Sequence, residues 1–583
     1  MITLGINAAF HDSAAALVVD GELIAAAEEE RFTRIKHGKR PVPFSTWELP
    51  YHAIDYCLAQ AGLTLAQVDH VAYSYDPARF IRGRIEGDTV TLPMQPSAGA
   101  AGDWESVWDP LFASYIVNAP RQLASGAPHH LKARFAGVRH DGPYRWHFVD
   151  HHLSHQASAF LAAPFDRCAV TTLDGRGEDT TTSYGRYADG RYEPLGEVTM
   201  PHSLGMLYER ITSHLGFLHS SDEYKVMALA ALGQPRYLDT FRDLVRVREH
   251  GRYEIARFDP AALFGPARVR GAPLTQHHFD LTASLQAVLE ETVQQLARWL
   301  REASGERHLA MAGGVALNCV MNAKLRDAGV FDQVWVQPAA GDAGTALGAA
   351  LWTDWQERTR SAGGAPALRR WRMEHAYWGP GYDDAEIEQL LTWAKLPYRR
   401  LTDVAGETAR LLQDNRIIGW FQGRMEFGPR ALGARSILAS PIRPEMQARL
   451  NELKDREDFR PVAPVVPEDE LAAWFTPAAA NGGSAPFMLF IYDVLPEQAS
   501  RIPAVCHADH TARVQTVRRD SNPRYYDLLK AFKALTGVPV LVNTSFNVRG
   551  EPVVNTPRDA INAFYSTPLD ALVIGSFLLE KNA

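Results

Sequence analysis

Apolar runs separated by short polar turns dominate the first part of the chain. Ile2 to Asn7, Ala14 to Val19 and Leu23 to Ala27 have the length and composition of buried strands. Asp20-Gly21, between the second run and the third, is typical of a tight hairpin turn. The pattern therefore predicts three consecutive strands, with a polar loop from Ala8 to Ser13 at the end of the first.

The same order of elements returns later in the chain. Three further strands, again with a polar loop after the first and an Asp-Gly turn before the third, are predicted over Cys168 to Leu173, Thr180 to Tyr187 and Tyr192 to Thr199. We interpret the recurrence as an internal duplication. It predicts two ribonuclease-H-like halves, the architecture of actin, sugar kinases and heat-shock chaperone ATPases. A chance recurrence of hairpins in an α/β protein is the alternative.

A long helix follows the second repeat. Apolar residues recur at helical spacing from Leu281 to Leu300, and Asp280 is the predicted N-cap. The next strand runs into Gly313-Gly314 and then Asn318. This arrangement favours a phosphate or nucleotide site, because glycines let backbone amides approach an anion at a helix start.

The chain divides into two predicted domains. Ser361 to Pro366 is rich in small residues and has the composition of a linker, so we predict domains over residues 1–362 and 371–583. Periodicity weakens from about 77 to 145, and we interpret this region as an insertion. Long insertions in a rigid fold often set substrate choice.

Composition excludes several classes of protein. A chain of 583 residues is too long for one ordinary core, and its net charge of -8 argues against a large nucleic-acid footprint. The 4 cysteines form no CxxC pair, so neither a disulfide framework nor a thiolate zinc site is expected. The start of the chain lacks the pattern of a signal peptide, and no apolar run is long enough to span a membrane. We therefore predict a cytoplasmic protein without a membrane partner.

Three histidines stand close together after Asp150. His151 and His155 are four apart, and on a helix this spacing places both rings on one face. Neutral imidazole is the commonest side-chain ligand of transition metals, so the pair predicts half of a metal site. The alternative is a helix start with partly exposed histidines and Asp150 as its cap.

Two aspartates at strand ends are candidate partners for the histidine pair. Asp174 ends an apolar run just before glycines, and Asp342 precedes an alanine-rich helix. Asp342 could instead cap that helix, and the pattern leaves both interpretations open.

Basic residues cluster at glycine-rich strand ends in the last third of the chain. Gln422 to Ser436 holds three arginines, Asn451 to Pro461 adds Lys454, Arg456 and Arg460, and Asn543 to Pro552 is rich in hydrogen-bond donors. One such run is more often a solvated surface. Three in one domain indicate an anion pocket, for which arginine is well suited.

Taken together, these motifs resemble the carbamoyltransferases of the nodulation and antibiotic-tailoring family, which include the O-carbamoyltransferases of cephem and aminoglycoside tailoring. The resemblance extends over nearly the whole chain. Its carriers are Leu4 to Asn7, His11 to Ala14, Glu28 to Phe32, His151 to His155, Asp222 to Met227, Gly313 to Asn318, Gly423 to Gly433 and Asn543 to Asn547.

The resemblance implies an α/β enzyme of two domains. The N-terminal domain would be actin-like and related to tRNA threonylcarbamoyl transferase, and the C-terminal domain would be YrdC-like. In the family, the C-terminal domain forms carbamoyl adenylate from carbamoyl phosphate and ATP. The N-terminal domain then transfers the carbamoyl group to an acceptor.

The resemblance also implies site residues. The family's metal, commonly iron, would be bound by His151, His155, Asp174 and Asp342. Substrates in the first domain would be bound or activated by His11, Lys36 and Asp222. In the second domain, carbamoyl phosphate and nucleotide would be bound by Arg430, Lys454, Arg460, Arg513, Asn543 and Ser545. The glycine turn adds Gly313, Gly314 and Asn318 as candidates for binding the nucleotide.

The expected acceptor is a hydroxyl of a small natural product. Trp104 and Trp108, in the insertion, favour a bulky, partly apolar scaffold, although sugar alcohols stay open. No nucleic-acid partner is expected, and a homodimer is compatible with the resemblance. The alternatives are a tRNA threonylcarbamoyladenosine-type enzyme, which the acidic balance disfavours, and an actin-like ATPase used as a switch, which leaves the histidine pair without a role.

Overall fold

The structure is a computed structural model, which describes residues 1–38, 49–81, 85–86, 89–90, 115–125, 143–476 and 484–581. Most of the predicted insertion, with Trp104 and Trp108, lies outside these residues. No helix in the described ranges has both the length and the apolar composition needed to cross a membrane.

The strands of the described chain carry most of its apolar runs. They are β1 (Ile2–Asn7), β2 (Ala14–Val19), β3 (Glu22–Glu28), β4 (His70–Tyr73), β5 (Ile85–Glu86), β6 (Thr89–Val90), β7 (Arg145–Phe148), β8 (Cys168–Leu173), β9 (Thr180–Ala188), β10 (Arg191–Thr199), β11 (Val245–Val247), β12 (Tyr253–Ile255), β13 (His308–Ala312), β14 (Gln333–Val336), β15 (Arg399–Arg400), β16 (Ile418–Phe421), β17 (Arg435–Ala439), β18 (Ala463–Pro467), β19 (Ile491–Asp493), β20 (Thr511–Arg513), β21 (Gln515–Val517), β22 (Leu541–Ser545), β23 (Ala571–Ile574) and β24 (Phe577–Glu580).

The α-helices alternate with these strands, so the fold is mixed α/β, as predicted. They are α1 (Glu30–Thr33), α2 (Tyr51–Gln60), α3 (Pro77–Ile81), α4 (Ala119–Ser125), α5 (His151–Phe160), α6 (Leu204–His214), α7 (Glu223–Ala230), α8 (Leu238–Leu244), α9 (Pro260–Phe264), α10 (Gln276–Ser304), α11 (Cys319–Asp327), α12 (Ala343–Ser361), α13 (Asp384–Trp393), α14 (Val404–Gln413), α15 (Met446–Leu453), α16 (Pro496–Ala499), α17 (Pro523–Thr536) and α18 (Pro557–Ser566).

The chain forms two compact units. Unit 1 comprises Met1–Met200, Ala310–Val315 and Ala339–Met373, and unit 2 comprises Pro201–Leu309, Ala316–Pro338 and Glu374–Ala583. Each unit is made of three segments that alternate along the chain, and the units are defined only by which residues lie close together in space. The division into domains 1–362 and 371–583 therefore stays a prediction.

In unit 1, the predicted three-strand pattern occurs twice. Strand β1 pairs antiparallel with β2, and β2 pairs antiparallel with β3. In the same way β8 pairs with β9, and β9 with β10. On its other edge β1 pairs in parallel with β4, which pairs in parallel with β7. The strand boundaries predicted for both repeats agree with the structure to within one residue.

Small residues let α12 pack closely in unit 1. A Cβ added to Gly348 would lie 1.7 Å from the Ser154 carbonyl oxygen of α5, and one added to Gly5 would lie 1.9 Å from the Ala346 carbonyl oxygen. Both distances are far below van der Waals contact, so only glycine allows the backbones to approach this closely. The packing brings the N-terminus of α12 to α5.

Unit 2 contains an eight-stranded sheet in the order β15-β24-β23-β16-β17-β22-β18-β21. Its strands pair antiparallel except for β16 with β23 and β18 with β21, which are parallel. The loops after β16 and β22 carry the arginine-glycine and asparagine-serine motifs.

The start of the long helix α10 differs from the prediction. The helix begins at Gln276, and Thr275 is its N-cap, with the Thr275 N–H donating to His278 Nδ1 at 3.0 Å. Asp280 lies inside the helix, where it accepts the Gln234 N–H at 2.9 Å and pairs with Arg236. The predicted cap at Asp280 is wrong, because the polar first turn of the helix precedes its apolar face.

Candidate functional site

Helix α5 of unit 1 presents the histidine pair. Asp150 is its N-cap and accepts the Leu153 N–H at 2.7 Å, so the helix starts at His151, the first ligand candidate. The His151 and His155 rings are 4.7 Å apart between centroids and perpendicular. Asp150 therefore caps the helix as predicted, but both imidazoles are fully buried rather than partly exposed.

Asp174 and Asp342 face these imidazoles. His151 Nε2 lies 3.7 Å from Asp174 Oδ2 and 3.6 Å from Asp342 Oδ1. His155 Nε2 lies 3.9 Å and 3.6 Å from the same two oxygens. The Asp342 side chain makes no capping hydrogen bond to α12, so the structure does not support a helix-capping role for it.

The four side chains fit a metal ion by their chemistry and spacing. Ligands about 2.1 Å from a tetrahedral metal stand roughly 3.4 Å from one another, close to the separations observed. His151 Nε2 and His155 Nε2 are buried and have no hydrogen-bond partner among the described residues. His151 Nδ1 lies 3.2 Å from the Ser74 carbonyl oxygen, which sets the ring tautomer and directs the Nε2 lone pair to the centre.

At this centre, the aspartates and the histidines shift one another's pKa values. Burial alone lowers the pKa of His151, but Asp174 and Asp342 reverse this effect and raise that pKa well above its ordinary value. Burial raises the pKa of each carboxyl, and the facing imidazoles outweigh it, so the pKa values of Asp174 and Asp342 are lowered. These shifts show that the two carboxylates stabilise positive charge beside them, which a divalent cation would supply when the imidazoles are neutral.

His152, between the two ligand candidates, points elsewhere. Its Nδ1 lies 3.1 Å from Ser183 Oγ, and burial lowers its pKa well below the ordinary value. His152 is therefore a neutral, buried side chain that packs outside the metal centre.

His11 lies at the edge of the metal centre. Its Nδ1 is 2.9 Å from Asp12 Oδ2 and 3.8 Å from Asp342 Oδ2. Asp12 Oδ1 also contacts His37 Nδ1 at 2.8 Å. Asp12 and His37 have positive φ angles of 52° and 60°, a left-handed conformation that Asp and His adopt more readily than most other non-glycine residues. Lys36 precedes His37 and is half-buried.

The charged run after β3 is buried. Glu28, Glu29, Glu30 and Arg31 are each no more than 9% exposed. Arg31 pairs with Glu28 at 3.2 Å and with Glu30 at 2.9 Å. Glu29 accepts the Ala53 N–H at 2.9 Å, and Glu30 accepts the His37 N–H at 2.6 Å. These charges hold the loop that carries Lys36 and His37, rather than facing solvent.

The glycine turn has a partner in unit 1. The Gly314 N–H donates to Asp174 Oδ1 at 2.7 Å, and a Cβ on Gly313 would lie 2.2 Å from the Leu173 carbonyl oxygen. In unit 2, Asn318 is the N-cap of α11 and accepts the Met321 N–H at 2.9 Å. The turn thus orients Asp174, and a nucleotide-binding role for Gly313, Gly314 and Asn318 stays a prediction.

An arginine cluster lies in unit 2. Arg430 Nε, Arg456 Nη2 and Arg513 Nε are shielded from solvent and have no hydrogen-bond partner among the described residues. Burial and the neighbouring charges of Arg460 and Arg513 lower the pKa of Arg456 to about 9. Burial, then the charge of Arg513, lowers the pKa of Arg430 to about 9. Cations that repel one another in a desolvated cluster favour a bound anion.

Lys454, Asn543 and Ser545 lie on neighbouring loops and strands of unit 2. The Lys454 ammonium donates to Ser545 Oγ at 3.0 Å and to Asn547 Oδ1 at 2.8 Å. Asn543 Nδ2 donates to Gln515 Oε1 at 2.7 Å. These contacts join the predicted lysine to the predicted serine.

Asp222 belongs to unit 2 and is part of a chain of ion pairs. Lys225 Nζ lies 3.1 Å from Asp222 Oδ1 and 3.0 Å from Glu457 Oε1. Glu457 is also 3.7 Å from Arg460, whose guanidinium lies 4.7 Å above the Tyr224 ring. The Asp222 to Met227 motif and the basic Asn451 to Pro461 run are therefore neighbours.

Two residues gain importance that the family resemblance did not assign to a site, although Arg456 belongs to one of the predicted basic runs. Asp12 contacts both His11 and His37, and Arg456 belongs to the arginine cluster. Their positions in the sequence could have indicated both residues. Asp12 follows His11 in a polar loop, and Arg456 lies between Lys454 and Arg460.

Comparisons with known proteins cover most of the chain. Residues 2–126 and 133–351 match the family model of the carbamoyltransferase N-terminus, and residues 409–581 match that of the carbamoyltransferase C-terminus. The chain is 39% identical to an uncharacterised protein of Synechocystis sp., over 100% of this chain and 97% of that protein. It is 39% identical to the nodulation protein NolNO of Sinorhizobium fredii, over 99% and 80% of the two chains. It is 41% identical to the nodulation protein NolO of Bradyrhizobium diazoefficiens, over 74% and 79%.

Solved structures give weaker likenesses. HypF of T. kodakarensis is 15% identical with a TM-score of 0.31, over 61% of this chain and 48% of that chain. The ROK hexokinase of Thermus thermophilus is 17% identical with a TM-score of 0.29, over 60% and 98%. Both scores are below 0.5, so these likenesses do not define the fold.

Proposed function

The chain belongs to the carbamoyltransferase family, and from this premise we propose that it is an ATP-dependent O-carbamoyltransferase acting on a small hydroxylated natural product. Its C-terminal part would form carbamoyl adenylate from carbamoyl phosphate and ATP. Its N-terminal part would transfer the carbamoyl group to the acceptor. The observation that carries the proposal is the desolvated arginine cluster of unit 2. One nitrogen each of Arg430, Arg456 and Arg513 is buried without a hydrogen-bond partner among the described residues, and an anion would satisfy them.

The proposed architecture follows the same division of labour. Two copies of the β1–β3 pattern support an actin-like, duplicated N-terminal domain. The eight-stranded mixed sheet would be the YrdC-like domain. Both proposals concern the fold only. The proposed reaction is argued from the residues of the two sites, because one fold can support many functions.

The donor phosphate would be bound by the arginine cluster. Arg430, Arg456, Arg460 and Arg513 would neutralise a charged leaving group, and Lys454 would approach it from beside Ser545. Forming the adenylate consumes one water and releases both phosphate and pyrophosphate. Asn543, whose Oδ1 has no partner among the described residues, offers an acceptor in the same region.

The metal would be held by His151, His155, Asp174 and Asp342, iron being the expectation, although this donor set suits manganese or zinc as well. When bound, it would supply Lewis-acid polarisation of a carbonyl and countercharge for a phosphate. The protein orients the set through the Ser74 carbonyl and the Gly314 N–H.

Proton transfer from the acceptor hydroxyl would be the task of His11. Its Nδ1–H would donate to Asp12, which leaves the Nε2 lone pair to take the proton. Lys36, on the loop held by Glu30, would neutralise charge beside His11. Asp222 is already paired with Lys225, so its proposed task is to position that lysine rather than to act as the base.

Product analysis tests the proposal. Incubating the protein with carbamoyl phosphate and ATP should release pyrophosphate only when both are present. Arg513→Met should reduce this release at least about hundredfold, because removing a group that binds the reacting charge costs two or more decades. Arg246→Met, at an exposed arginine of β11, is the matched control. Pyrophosphate release that ignores carbamoyl phosphate would contradict the proposal.

Acceptor choice needs a separate assay. A panel of hydroxylated natural products incubated with the full reaction should include members that gain one carbamoyl group by mass spectrometry. Amines in the panel distinguish O-transfer from N-transfer.

A further inference from the structure

His507 lies in the turn before β20 in unit 2 and is not among the residues predicted to bind carbamoyl phosphate or nucleotide. The His507 N–H donates to the Thr511 carbonyl at 2.9 Å, and the His510 N–H donates to the His507 carbonyl at 2.9 Å. Thr511 and Arg513 are two apart on β20, so their side chains lie on one face of the strand. His507 Nδ1 lies 3.3 Å from Thr511 Oγ1, which places its imidazole on the face that carries Arg513.

Hydrogen bonds set the tautomer of His507. Thr511 Oγ–H donates to Asp509 Oδ1 at 2.7 Å, and the Thr511 N–H donates to the same oxygen at 3.0 Å. A hydroxyl has one proton, so Thr511 Oγ must act as an acceptor toward His507 Nδ1. The proton of the neutral ring is therefore on Nδ1, and Nε2 carries the lone pair.

The imidazole is neutral and its acceptor atom is unused. Burial, with a smaller contribution from the charge of Arg513, lowers the pKa of His507 to about 4. Nε2 is shielded from solvent and has no hydrogen-bond partner among the described residues. A buried acceptor without a partner is costly, and this favours a ligand that brings a donor.

The phosphate and the carbamoyl amide of the donor substrate differ in whether they can donate a hydrogen bond to Nε2. A phosphate dianion offers only acceptors, so it would be repelled by a lone pair and attracted by the arginines. The carbamoyl amide offers two N–H donors. We propose that His507 Nε2 accepts a hydrogen bond from the carbamoyl NH₂ group while Arg513 holds the phosphate. His507 would then be the residue that selects a carbamoyl donor over other acyl phosphates. This inference rests on the proposed function.

Two stable phosphonates separate amide recognition from phosphate recognition. Phosphonoacetamide keeps the amide, and acetonylphosphonate replaces its NH₂ group by a methyl group of similar size. Isothermal titration of the full chain should show phosphonoacetamide binding about tenfold to hundredfold tighter, because an amide site rejects a group that leaves its acceptor unpaired. In His507→Leu the two affinities should become equal, through weaker binding of the amide alone.

Two further variants test the hydrogen bond of His507 independently of His507→Leu. His507→Gln can place an amide oxygen near the Nε2 position and should retain part of the preference. Thr511→Val removes the hydroxyl that sets the tautomer and should reduce the preference even if His507→Leu fails to fold. The matched control is His510→Asn, because His510 is exposed and its φ of 63° suits asparagine.

The outcomes separate the two proposals. An unchanged preference for phosphonoacetamide in both His507→Leu and Thr511→Val would overturn the role of His507. If those variants kept the preference while the wild type consumed carbamoyl phosphate and ATP, the proposed function would stand without it. A wild type that binds neither phosphonate and consumes no carbamoyl phosphate would overturn both.

Discussion

At the scale of single residues, both candidate sites contain buried polar atoms that have no hydrogen-bond partner among the described residues. Such atoms are uncommon in folded proteins because each costs the free energy of desolvation. Here they include Nε2 of His151 and His155 in unit 1, and guanidinium nitrogens of Arg430, Arg456 and Arg513 in unit 2. The first set would bind a cation and the second would bind an anion, so the two sites are opposite in the charge of the ligand that suits them.

Replacing one imidazole should remove the metal. His155→Ala deletes one of four proposed ligands and should lower the metal affinity by more than about tenfold, since even changes in supporting groups cost that much. His152→Ala is the matched control, because this neighbouring histidine is equally buried but contacts Ser183. Metal content of the purified proteins is the measurement, and full retention in His155→Ala would refute the proposed ligand set.

Arg456→Met should improve stability and weaken donor binding at the same time. The Arg456 Nε donates to Asn451 Oδ1 at 2.6 Å, but Nη2 has no hydrogen-bond partner among the described residues and the guanidinium faces the charges of Arg460 and Arg513. We expect an apolar side chain of similar length to remove more repulsion in the free protein than the one hydrogen bond contributes. We expect the free energy of unfolding to rise by about 1 kcal/mol and the KM for carbamoyl phosphate to rise about tenfold. Thermal unfolding without ligand and steady-state kinetics measure the two effects. A variant that loses stability would show that Arg456 is satisfied in the free protein.

At the scale of elements, the metal centre depends on how closely α12 packs. Asp342 directly precedes this helix, and His151 and His155 lie on α5. Gly348 of α12 stands against the Ser154 backbone of α5, where any side chain would collide. The distance between the helices therefore sets the distance between the carboxylate and the imidazoles.

Gly348→Ala should disturb the centre without changing a ligand. The added Cβ would lie 1.7 Å from the Ser154 carbonyl oxygen, so the helices must separate, at a cost of about 2–3 kcal/mol. Metal affinity should fall with stability. Gly363→Ala is the control, since Gly363 has a φ of 69° and open space around it, and it should cost only about 1 kcal/mol. Equal metal affinity in both variants would show that the metal centre does not depend on the close packing of α12 against α5.

At the scale of the whole molecule, each compact unit carries one of the two candidate sites. The histidine–aspartate centre lies entirely in unit 1, and the arginine cluster lies entirely in unit 2. A ligand that binds only the folded form stabilises the part that binds it, in proportion to its occupancy. The two sites should therefore respond to different ligands.

Calorimetry should resolve these responses. A chelator should lower the melting temperature by about 5–10 °C, because a metal at one hundred times its Kd contributes about 2.7 kcal/mol. Added phosphate should raise it through unit 2. His155→Ala should abolish the chelator effect and leave the phosphate effect, whereas Arg513→Met should do the reverse. Loss of both effects in either variant would show that the sites are not separate.

Local patterns allowed much of the fold to be predicted. The strands of both repeats, their Asp-Gly turns and the cap at Asp150 depend on residues near in sequence, and they are confirmed. The spacing of His151 and His155 placed both rings on one face for the same reason. The start of α10 was missed because its polar first turn lies before the apolar residues that define the helical period.

The sequence by itself determined the elements, the histidine pair and the basic runs, because periodicity and short spacings are properties of neighbouring residues. Only the tertiary structure decided that Asp342 faces the imidazoles rather than capping its helix, that the Glu28 to Arg31 charges are buried, and that Gly314 holds Asp174. These outcomes depend on partners distant along the chain, whose approach is set by the packing of helices and strands. Burial then gives the charges their partners and leaves the orphaned nitrogen atoms at the sites.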